Sequence, residues 1–293
     1  MKTRRHFLTT TAAASLASSL HAQKAEAPKF EICAFIKFVQ SFSHEELAKT
    51  IAQLGCDGIE ATVRKGGQVE PEAVAEGLPS LVEALKKESQ VITIMASDVV
   101  RADDPLMEKT LRVAASLGVK RYRMGYYRYD LNKPIRRQLD EFRPMAQELA
   151  ALNKELGLQA LYQNHAGTKY VGASLWDLDL LMEGIEPTQM AVGFDIRHAT
   201  VEGGTTWATL WKLIEPRLGA VYVKDFVWEG RKIKNVPLGS GMVEPKFFSD
   251  LAKHRADVPF TVHVEYLEHA DTVENIAALK HDLATLKKLL GIS

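Results

Sequence analysis

Short apolar runs alternate regularly with longer amphipathic stretches along most of the chain. From residue 29 onward the apolar runs have the length of buried strands, and the stretches between them place apolar residues at helical spacing. The predicted strands are residues 30–36, 58–61, 91–95, 121–124, 159–163, 191–195, 220–224 and 260–265. A strand followed by a helix, repeated eight times, predicts a single (β/α)8 TIM barrel. A doubly wound sheet is the alternative, although no Gly-x-Gly-x-x-Gly follows the first strand.

The amphipathic stretches carry their own helix start and stop signals. Ser43 with Glu46 has the spacing of a capping box. Prolines stand where a first helical turn should begin, at Pro71, Pro105, Pro134 and Pro245. Glycines follow the helical runs and precede the next strand, at Gly55, Gly118 and Gly157. These signals support helices between the strands.

Composition and charge narrow the class of protein. The 293 residues are 46% hydrophobic and 25% charged, as in ordinary globular proteins. Lys plus Arg and Asp plus Glu number 37 each, so no surplus of basic charge is available to hold a phosphate backbone. We therefore expect no nucleic-acid partner.

The N-terminal residues have the pattern of a twin-arginine signal peptide. Arg4 and Arg5 precede an apolar run over residues 9–20 without acidic residues, and the small Ala22 marks a plausible cleavage site. A run of about 12 residues is shorter than the roughly 20 that span a membrane, so no stable membrane anchor is expected. We predict a signal at 1–22 and a barrel at 23–293, exported to the periplasm or secreted through the twin-arginine machinery. Cys33 and Cys56 are interpreted as buried thiols rather than a bridge.

Polar side chains cluster at the ends of the predicted strands, where a barrel builds its active site. They are Glu60, Arg123, Tyr126, Gln163, Asn164, His165, Asp195, Arg197, His198, Tyr222, Lys224, His263 and Glu265. Alternate strand residues share a face, so several nitrogen and oxygen ligands could converge. Such a cluster could bind a divalent metal that polarises a carbonyl while a nearby base removes a proton from the adjacent carbon. The alternative is that these groups simply hydrogen-bond within the barrel.

The order and spacing of these clusters resemble the xylose isomerase-like TIM-barrel superfamily, which includes sugar phosphate isomerases and epimerases. The resemblance covers nearly all of residues 23–293. The matching pieces are Gly-Cys-Asp-Gly-Ile-Glu at 55–60, Tyr-Gln-Asn-His at 162–165, Gly-Phe-Asp-Ile-Arg-His-Ala at 193–199, Val-Tyr-Val-Lys-Asp at 221–225, Pro-Leu-Gly-Ser-Gly at 237–241 and Val-His-Val-Glu at 262–265.

The resemblance implies a divalent metal held by an acid from strand five, an Asp from strand six, a His from strand seven and a Glu from strand eight. Asp195, the His198 of an Asp-x-x-His motif, and Glu265 match. Gln163 stands where the family often has Glu, and Tyr222 where it has His. A glutamine oxygen can bind a hard cation but cannot act as a base, and tyrosine substitutes poorly for imidazole.

These matches and departures define the predicted site. The metal, Mn, Co, Zn or Mg, would be held by Asp195, His198, Glu265, His165 and, weakly, Gln163. The base could be Glu265, Lys224 or His165. Substrate contacts are predicted for Glu60, Arg123, Tyr126, Asn164, Arg197, Tyr222 and His263.

Three functions remain open from the sequence. The first is an exported carbohydrate isomerase or epimerase-like enzyme that moves protons next to a sugar carbonyl with the assistance of a metal. The second is a metal-assisted lyase or hydratase acting on an oxidised sugar or glycoside, which the missing carboxylate at Gln163 favours. The third is a non-catalytic sugar-binding barrel.

The DNA endonucleases of the superfamily need more histidines and carboxylates than this chain offers. Gly239–Gly241 could bind phosphate through backbone amides, or form a tight turn.

Overall fold

The structure is a computed structural model that describes residues 30–255, 257–267 and 270–292. The predicted signal peptide at 1–22 lies outside the described residues. Eight parallel strands form a closed barrel with helices between them, which confirms the predicted (β/α)8 architecture and rules out the doubly wound sheet. The barrel strands are β1 Ile32–Phe35, β2 Gly58–Val63, β3 Ile92–Ser97, β4 Arg121–Arg123, β5 Gln159–Gln163, β6 Met190–Asp195, β7 Leu218–Val223 and β10 Phe260–Val262.

The barrel closes between its first and last strands. β1 pairs with β2 on one side and with β10 on the other, with Ile32 opposite Phe260. Closure brings residues from distant parts of the chain to one end of the barrel, because the carboxyl ends of parallel strands lie together. The polar residues that follow the strands therefore surround a common mouth.

Helices connect the barrel strands and cover their outer faces. They are α1 His44–Leu54, α2 Val74–Lys87, α3 Pro105–Ser116, α4 Ile135–Leu156, α5 Trp176–Leu181, α6 Ile196–Gly203, α7 Trp207–Ile214, α8 Pro245–His254 and α9 Thr272–Leu290. The Ser43 side chain accepts from the Glu46 amide, as the cap predicts. Pro105 and Pro245 occupy first helical positions, whereas Pro134 lies one residue earlier, as the cap of α4. Gly55 and Gly157 end their helices in the left-handed conformation.

Two of the predicted strands that run past the observed strand end carry site residues there. β10 ends at Val262 and β7 at Val223, so His263, Glu265 and Lys224 follow their strands instead of lying inside them. The His263 amide still donates to the Val223 carbonyl at 3.0 Å, but residues 263–265 are no longer part of a strand. These side chains consequently lie at the mouth of the barrel.

An antiparallel hairpin that the hydrophobic pattern did not predict follows β7. Its strands are β8 Asp225–Glu229 and β9 Lys232–Val236, and Gly230 in the connecting turn has a φ of 63°. The left-handed value explains why glycine is suited to this turn. The hairpin places Asn235 beside the barrel mouth, where it contacts two site residues.

The barrel interior is filled by a small cluster of buried side chains. Its members are Cys33, Ile94, Leu161, Ala191, Ala220 and Tyr222. Cys33 and Cys56 are both buried and unbridged, as the sequence predicts. Within the described residues, no helix has both the length and the apolar character required to cross a membrane.

Candidate active site

A buried ion-pair network lies beneath the mouth and centres on Glu60 at β2. One oxygen of Glu60 accepts from Arg123 Nε at 2.7 Å, and the other lies 2.7 Å from His263 Nε2 and 2.8 Å from Thr261 Oγ1. Burial would raise the pKa of this carboxyl, but the guanidinium and imidazole outweigh it and lower the pKa to about 2. The predicted substrate contact Glu60 is fully buried, so the structure gives it a role in holding Arg123 and His263 in place.

Gln163 connects this network to the centre of the site. Its amide oxygen accepts from Tyr126 Oη at 2.8 Å and lies 3.3 Å from Arg123 Nη1. Its amide nitrogen donates to Asp195 Oδ2 at 2.8 Å. The side chain therefore presents a donor, and no free oxygen, to Asp195.

Asp195 at the end of β6 is held by both its backbone and its carboxylate. Asn164 donates to the Asp195 carbonyl at 3.0 Å and accepts from the Asp195 amide at 2.7 Å, so this predicted substrate contact positions Asp195 instead. Asp195 Oδ1 caps α6 by accepting from the His198 amide at 3.0 Å. Both Asp195 and Asn164 are inaccessible to solvent.

The ammonium group of Lys224 lies between two carboxylates. Its Nζ is 3.2 Å from Asp195 Oδ2 and 3.0 Å from Glu265 Oε2. Burial would lower the pKa of Lys224, but the two carboxylates outweigh it and raise the pKa above its ordinary value. Lys224 is therefore a buried, charged group.

Glu265 reaches the surface of the mouth. Its side chain is 34% exposed, and its second oxygen lies 3.3 Å from His263 Nδ1. Its partial burial would raise the pKa of Glu265, but Lys224 and His263 hold it well below its ordinary value. Glu265 is thus an ionised carboxylate with access to solvent.

Two neighbouring histidine rings, His165 and His198, pack against each other with their planes tilted by 35°. The rings of His165 and His198 lie 4.2 Å apart, and His165 also stacks on Tyr170 at 4.3 Å. His165 Nδ1 lies 2.8 Å from the Ala166 carbonyl, which can only accept, so this nitrogen carries the proton and Nε2 keeps its lone pair. Burial lowers the pKa of both imidazoles, so both are neutral near pH 7.

His198 is oriented by a neighbouring cation. Arg197 Nη1 lies 2.9 Å from His198 Nδ1, and because a guanidinium can only donate, Nδ1 accepts and the proton is on Nε2. Arg197 Nη2 also donates to Asn235 Oδ1 at 2.6 Å. Asn235 in turn donates to the Glu265 carbonyl at 3.0 Å. The sequence analysis missed Asn235 because it did not predict the hairpin; a glycine between two alternating segments was the available signal.

Tyr222 points into the barrel and not toward a ligand at the mouth. Its ring packs over Gly193, where an added Cβ would lie 2.5 Å from Tyr222 Cε2. The Arg123 guanidinium lies 6.0 Å from the ring centre. Among the described residues the buried Tyr222 hydroxyl has no hydrogen-bond partner. β7 therefore contributes an aromatic ring to the interior.

The Gly239–Gly241 loop uses its amides within the protein. Gly239 N and Gly241 N donate to Asp225 Oδ2 at 3.0 and 2.9 Å. Phe226 N and Val243 N donate to Asp225 Oδ1 at 2.8 and 3.0 Å. The Asp225 carboxylate already accepts from the loop amides that would have to bind a phosphate. This favours the interpretation of the loop as a tight turn.

A cleft of about 660 Å³ opens beside Glu265. Phe35, Lys37 and Asn235 also line it. Its size suits a small polar ligand such as a sugar, since ligand pockets commonly measure about 300–1,000 Å³. Among the residues of the buried cluster, Glu265 is the carboxylate that reaches this cleft.

Comparison with known proteins identifies the family. Residues 48–289 match the sequence model described as the xylose isomerase-like TIM barrel. The chain belongs to the xylose isomerase-like TIM barrel family. No curated protein matches the sequence of this family member.

Solved structures share the fold at low sequence identity. The 3-keto-D-glucoside 4-epimerase of E. coli is 16% identical, with a TM-score of 0.65 over 89% of this chain and 100% of that one. A Bacillus anthracis protein assigned as a 3-DHS dehydratase is 13% identical, with a TM-score of 0.66 over 88% and 98%. A xylose isomerase-like TIM barrel protein from Mycobacterium smegmatis, solved with magnesium, is 14% identical, with a TM-score of 0.64 over 90% and 97%.

The residues predicted to hold a divalent metal do not fit one in the arrangement described here. Asp195 Oδ2 is occupied by the Gln163 amide and the Lys224 ammonium. The lone pair of His198 Nδ1 is used by Arg197. Within residues 30–255, 257–267 and 270–292, no three His, Cys, Asp or Glu side chains form a group that could hold a metal ion. Of the predicted ligands, Asp195 and Glu265 are brought together, and the Lys224 ammonium group lies between them.

Proposed function

We propose that the protein is a carbohydrate isomerase or epimerase-like enzyme that moves a proton on a carbon next to a sugar carbonyl. The observation that carries the proposal is Glu265, an ionised carboxylate that lines the cleft and bonds to the Lys224 ammonium. An ionised carboxylate can remove a proton next to a carbonyl, and a buried cation beside it can stabilise the charge that develops on the carbonyl oxygen. Family membership supports the same class of chemistry.

The two groups have complementary roles in this reaction. Glu265 accepts the proton from the carbon, and negative charge develops on the neighbouring carbonyl oxygen. The positive charge of Lys224 stabilises that oxyanion, because an ammonium group shielded from water interacts strongly with a nearby negative charge. In isomerisation Glu265 returns the proton to the former carbonyl carbon while the hydroxyl proton of the enediol moves to the oxyanion, whereas in epimerisation the original carbon is reprotonated on its opposite face.

His165 provides a second base on the β5 side of the mouth. Its neutral imidazole keeps a lone pair on Nε2, as the bond from Nδ1 to the Ala166 carbonyl requires. Epimerisation through two bases needs a proton acceptor on each face of the substrate. We assign the two faces to Glu265 and His165, since Gln163 cannot act as a base. Glu265 removes the proton from one face, and His165 Nε2 takes a proton from solvent and delivers it to the other face.

The proposal is tested by proton NMR of keto-sugars in D₂O. A 3-keto-D-glucoside and D-fructose are incubated with the protein, with Glu265→Gln and with His165→Gln. We expect deuterium to enter the carbon next to the carbonyl with the parent protein, and at least about 100-fold more slowly with Glu265→Gln. Loss of epimer formation in His165→Gln, with exchange retained, would identify the second base.

The control variant Glu155→Gln should exchange deuterium at the parent rate, since Glu155 is an exposed side chain at the end of α4 that pairs with Arg112 on α3. Equal exchange by the parent protein and folded Glu265→Gln would refute the role of Glu265. Binding of the sugars with no exchange and no product would instead support the non-catalytic barrel.

A lyase or hydratase acting on oxidised sugars is the second candidate. Gln163 favours it, because its amide is bonded at both ends and β5 supplies no carboxylate base. Elimination of a group β to the carbonyl needs only the base Glu265 and a leaving group. Ultraviolet absorbance of an unsaturated ketone, formed from a 3-keto-D-glucoside, would distinguish elimination from epimerisation.

We also propose that residues 1–22 export the folded protein to the periplasm through the twin-arginine machinery. The paired Arg4 and Arg5 and the short apolar run support this. Cell fractionation of the parent and of Arg4→Lys with Arg5→Lys should find the protein in the periplasm only for the parent. Equal distribution of the two would refute the signal.

A further inference from the structure

We propose that the Lys224 ammonium is the resident cation of this site and excludes a divalent metal from the Asp195 and Glu265 pair. The inference deepens the proposed function, on which its catalytic meaning rests. The inference concerns which cation stabilises the oxyanion. It can be tested by measuring metal binding, without an activity assay.

The position of Lys224 carries the inference. Its Nζ bonds to one oxygen of each carboxylate, at 3.2 and 3.0 Å, and only 5% of the residue is exposed. A divalent cation bridging Asp195 and Glu265 would need the same space between the same two oxygens. Two close carboxylates in a buried site repel each other unless a cation lies between them, and the ammonium group already supplies that charge.

The groups that contact the Asp195 carboxylate are hydrogen-bond donors, as expected for a carboxylate that binds no metal. Its carboxylate receives the Gln163 amide at 2.8 Å and the His198 amide at 3.0 Å in addition to Lys224. Each of these donors points a hydrogen at the oxygens, whereas a metal ion needs their lone pairs. Asp195 is therefore surrounded by hydrogen-bond donors.

The neighbouring strand offers no replacement ligand. Tyr222 on β7 directs its ring into the barrel, against Gly193, and its buried hydroxyl bonds to none of the described residues. His198 uses Nδ1 to accept from Arg197. Of the predicted nitrogen ligands, only His165 keeps a free lone pair, on Nε2, and one nitrogen is too few for a transition-metal site.

The test compares metal binding by the parent protein, Lys224→Met and Lys224→Arg. Lys212→Met serves as the control, because Lys212 forms a surface ion pair with Glu215 on the outer helices. Each protein is dialysed against manganese and then assayed for bound metal by elemental analysis. Thermal unfolding with and without manganese is measured in parallel, and circular dichroism confirms that each variant is folded.

We expect no stoichiometric manganese and no manganese-dependent change in Tm for the parent, Lys224→Arg and the control. Lys224→Met should bind manganese and gain about 5 °C in Tm at saturation, because the two carboxylates lose their cation. If Lys224→Met does not fold, the parent and Lys224→Arg still test whether the site binds manganese while its own cation is present.

Near-stoichiometric metal in the parent that disappears in Asp195→Asn would overturn the inference while leaving the proposed proton transfer intact. Folded Lys224→Met that binds no manganese would show that the ammonium group does not exclude the metal. Absence of deuterium exchange with every sugar would count against the proposed function and leave the binding result unaffected.

Discussion

Glu60 should make the free energy of unfolding fall at acidic pH, and the substitution Glu60→Gln should remove this part of the pH dependence. This carboxyl is fully buried, and Arg123, His263 and Thr261 all contact it. Its pKa falls from an ordinary value of 4.5 to about 2. The folded protein therefore binds a proton at Glu60 less readily than the unfolded chain does.

The pKa difference sets the size of the effect. About 2.5 pKa units correspond to roughly 3 kcal/mol of folding free energy, because each unit is about 1.4 kcal/mol. A lowered folded-state pKa means that this stabilisation is fully present above pH about 5 and is lost as the pH falls toward 2. By pH 3 the loss should reach about 2 kcal/mol.

Urea unfolding followed by tryptophan fluorescence at pH 6, 5, 4 and 3 measures the effect. Glu60→Gln should be less stable than the parent at pH 6, since Arg123 loses its partner, but the difference should shrink by about 2 kcal/mol at pH 3. The surface variant Glu229→Gln should follow the parent. A constant difference between parent and Glu60→Gln across this range would refute the reasoning.

Three further substitutions test other parts of the site by the free energy of unfolding in urea. Gln163→Glu should cost about 2 kcal/mol at pH 8 and less at pH 4, because a second carboxylate would face Asp195 in place of an amide donor; no pH dependence would contradict this. Asp225→Ala should cost about 3 kcal/mol, since the loop at 239–243 loses the acceptor of its amides. Tyr222→Phe should be neutral or stabilise by about 1 kcal/mol, because the buried hydroxyl bonds to none of the described residues, and a large loss would show a missing partner.

The barrel and its mouth could be predicted from the sequence because local patterns specify them. β5 has the predicted bounds, since Gly157 ends the helix before it and polar residues follow it. β10 is shorter than its apolar pattern because pairing with β7 stops after His263. The hairpin was missed because its strands are largely exposed and carry many charges, which a search for apolar runs ignores.

The contacts within the site could not be predicted in the same way. Thirteen residues were selected at strand ends, but Glu60 meets Thr261 from 201 positions away only through closure of the barrel. Which side of the Gln163 amide faces Asp195, and which nitrogen of His165 carries the proton, depend on neighbours from other strands. Sequence position identifies the participants, whereas their roles follow from three-dimensional contacts.

One of the two departures from the family pattern, Gln163, is consistent with the net charge of the buried site. A dication with three carboxylates and an ammonium group with two carboxylates both leave a net charge of −1. With Lys224 as the cation of the site, as we propose, one carboxylate fewer is required, and Gln163 stands where the family often has the carboxylate of β5. A glutamate at that position would place a third negative charge near Asp195 without a cation to offset it. Gln163 and Lys224 are then parts of one arrangement, in which a buried ammonium group supplies the positive charge beside the cleft.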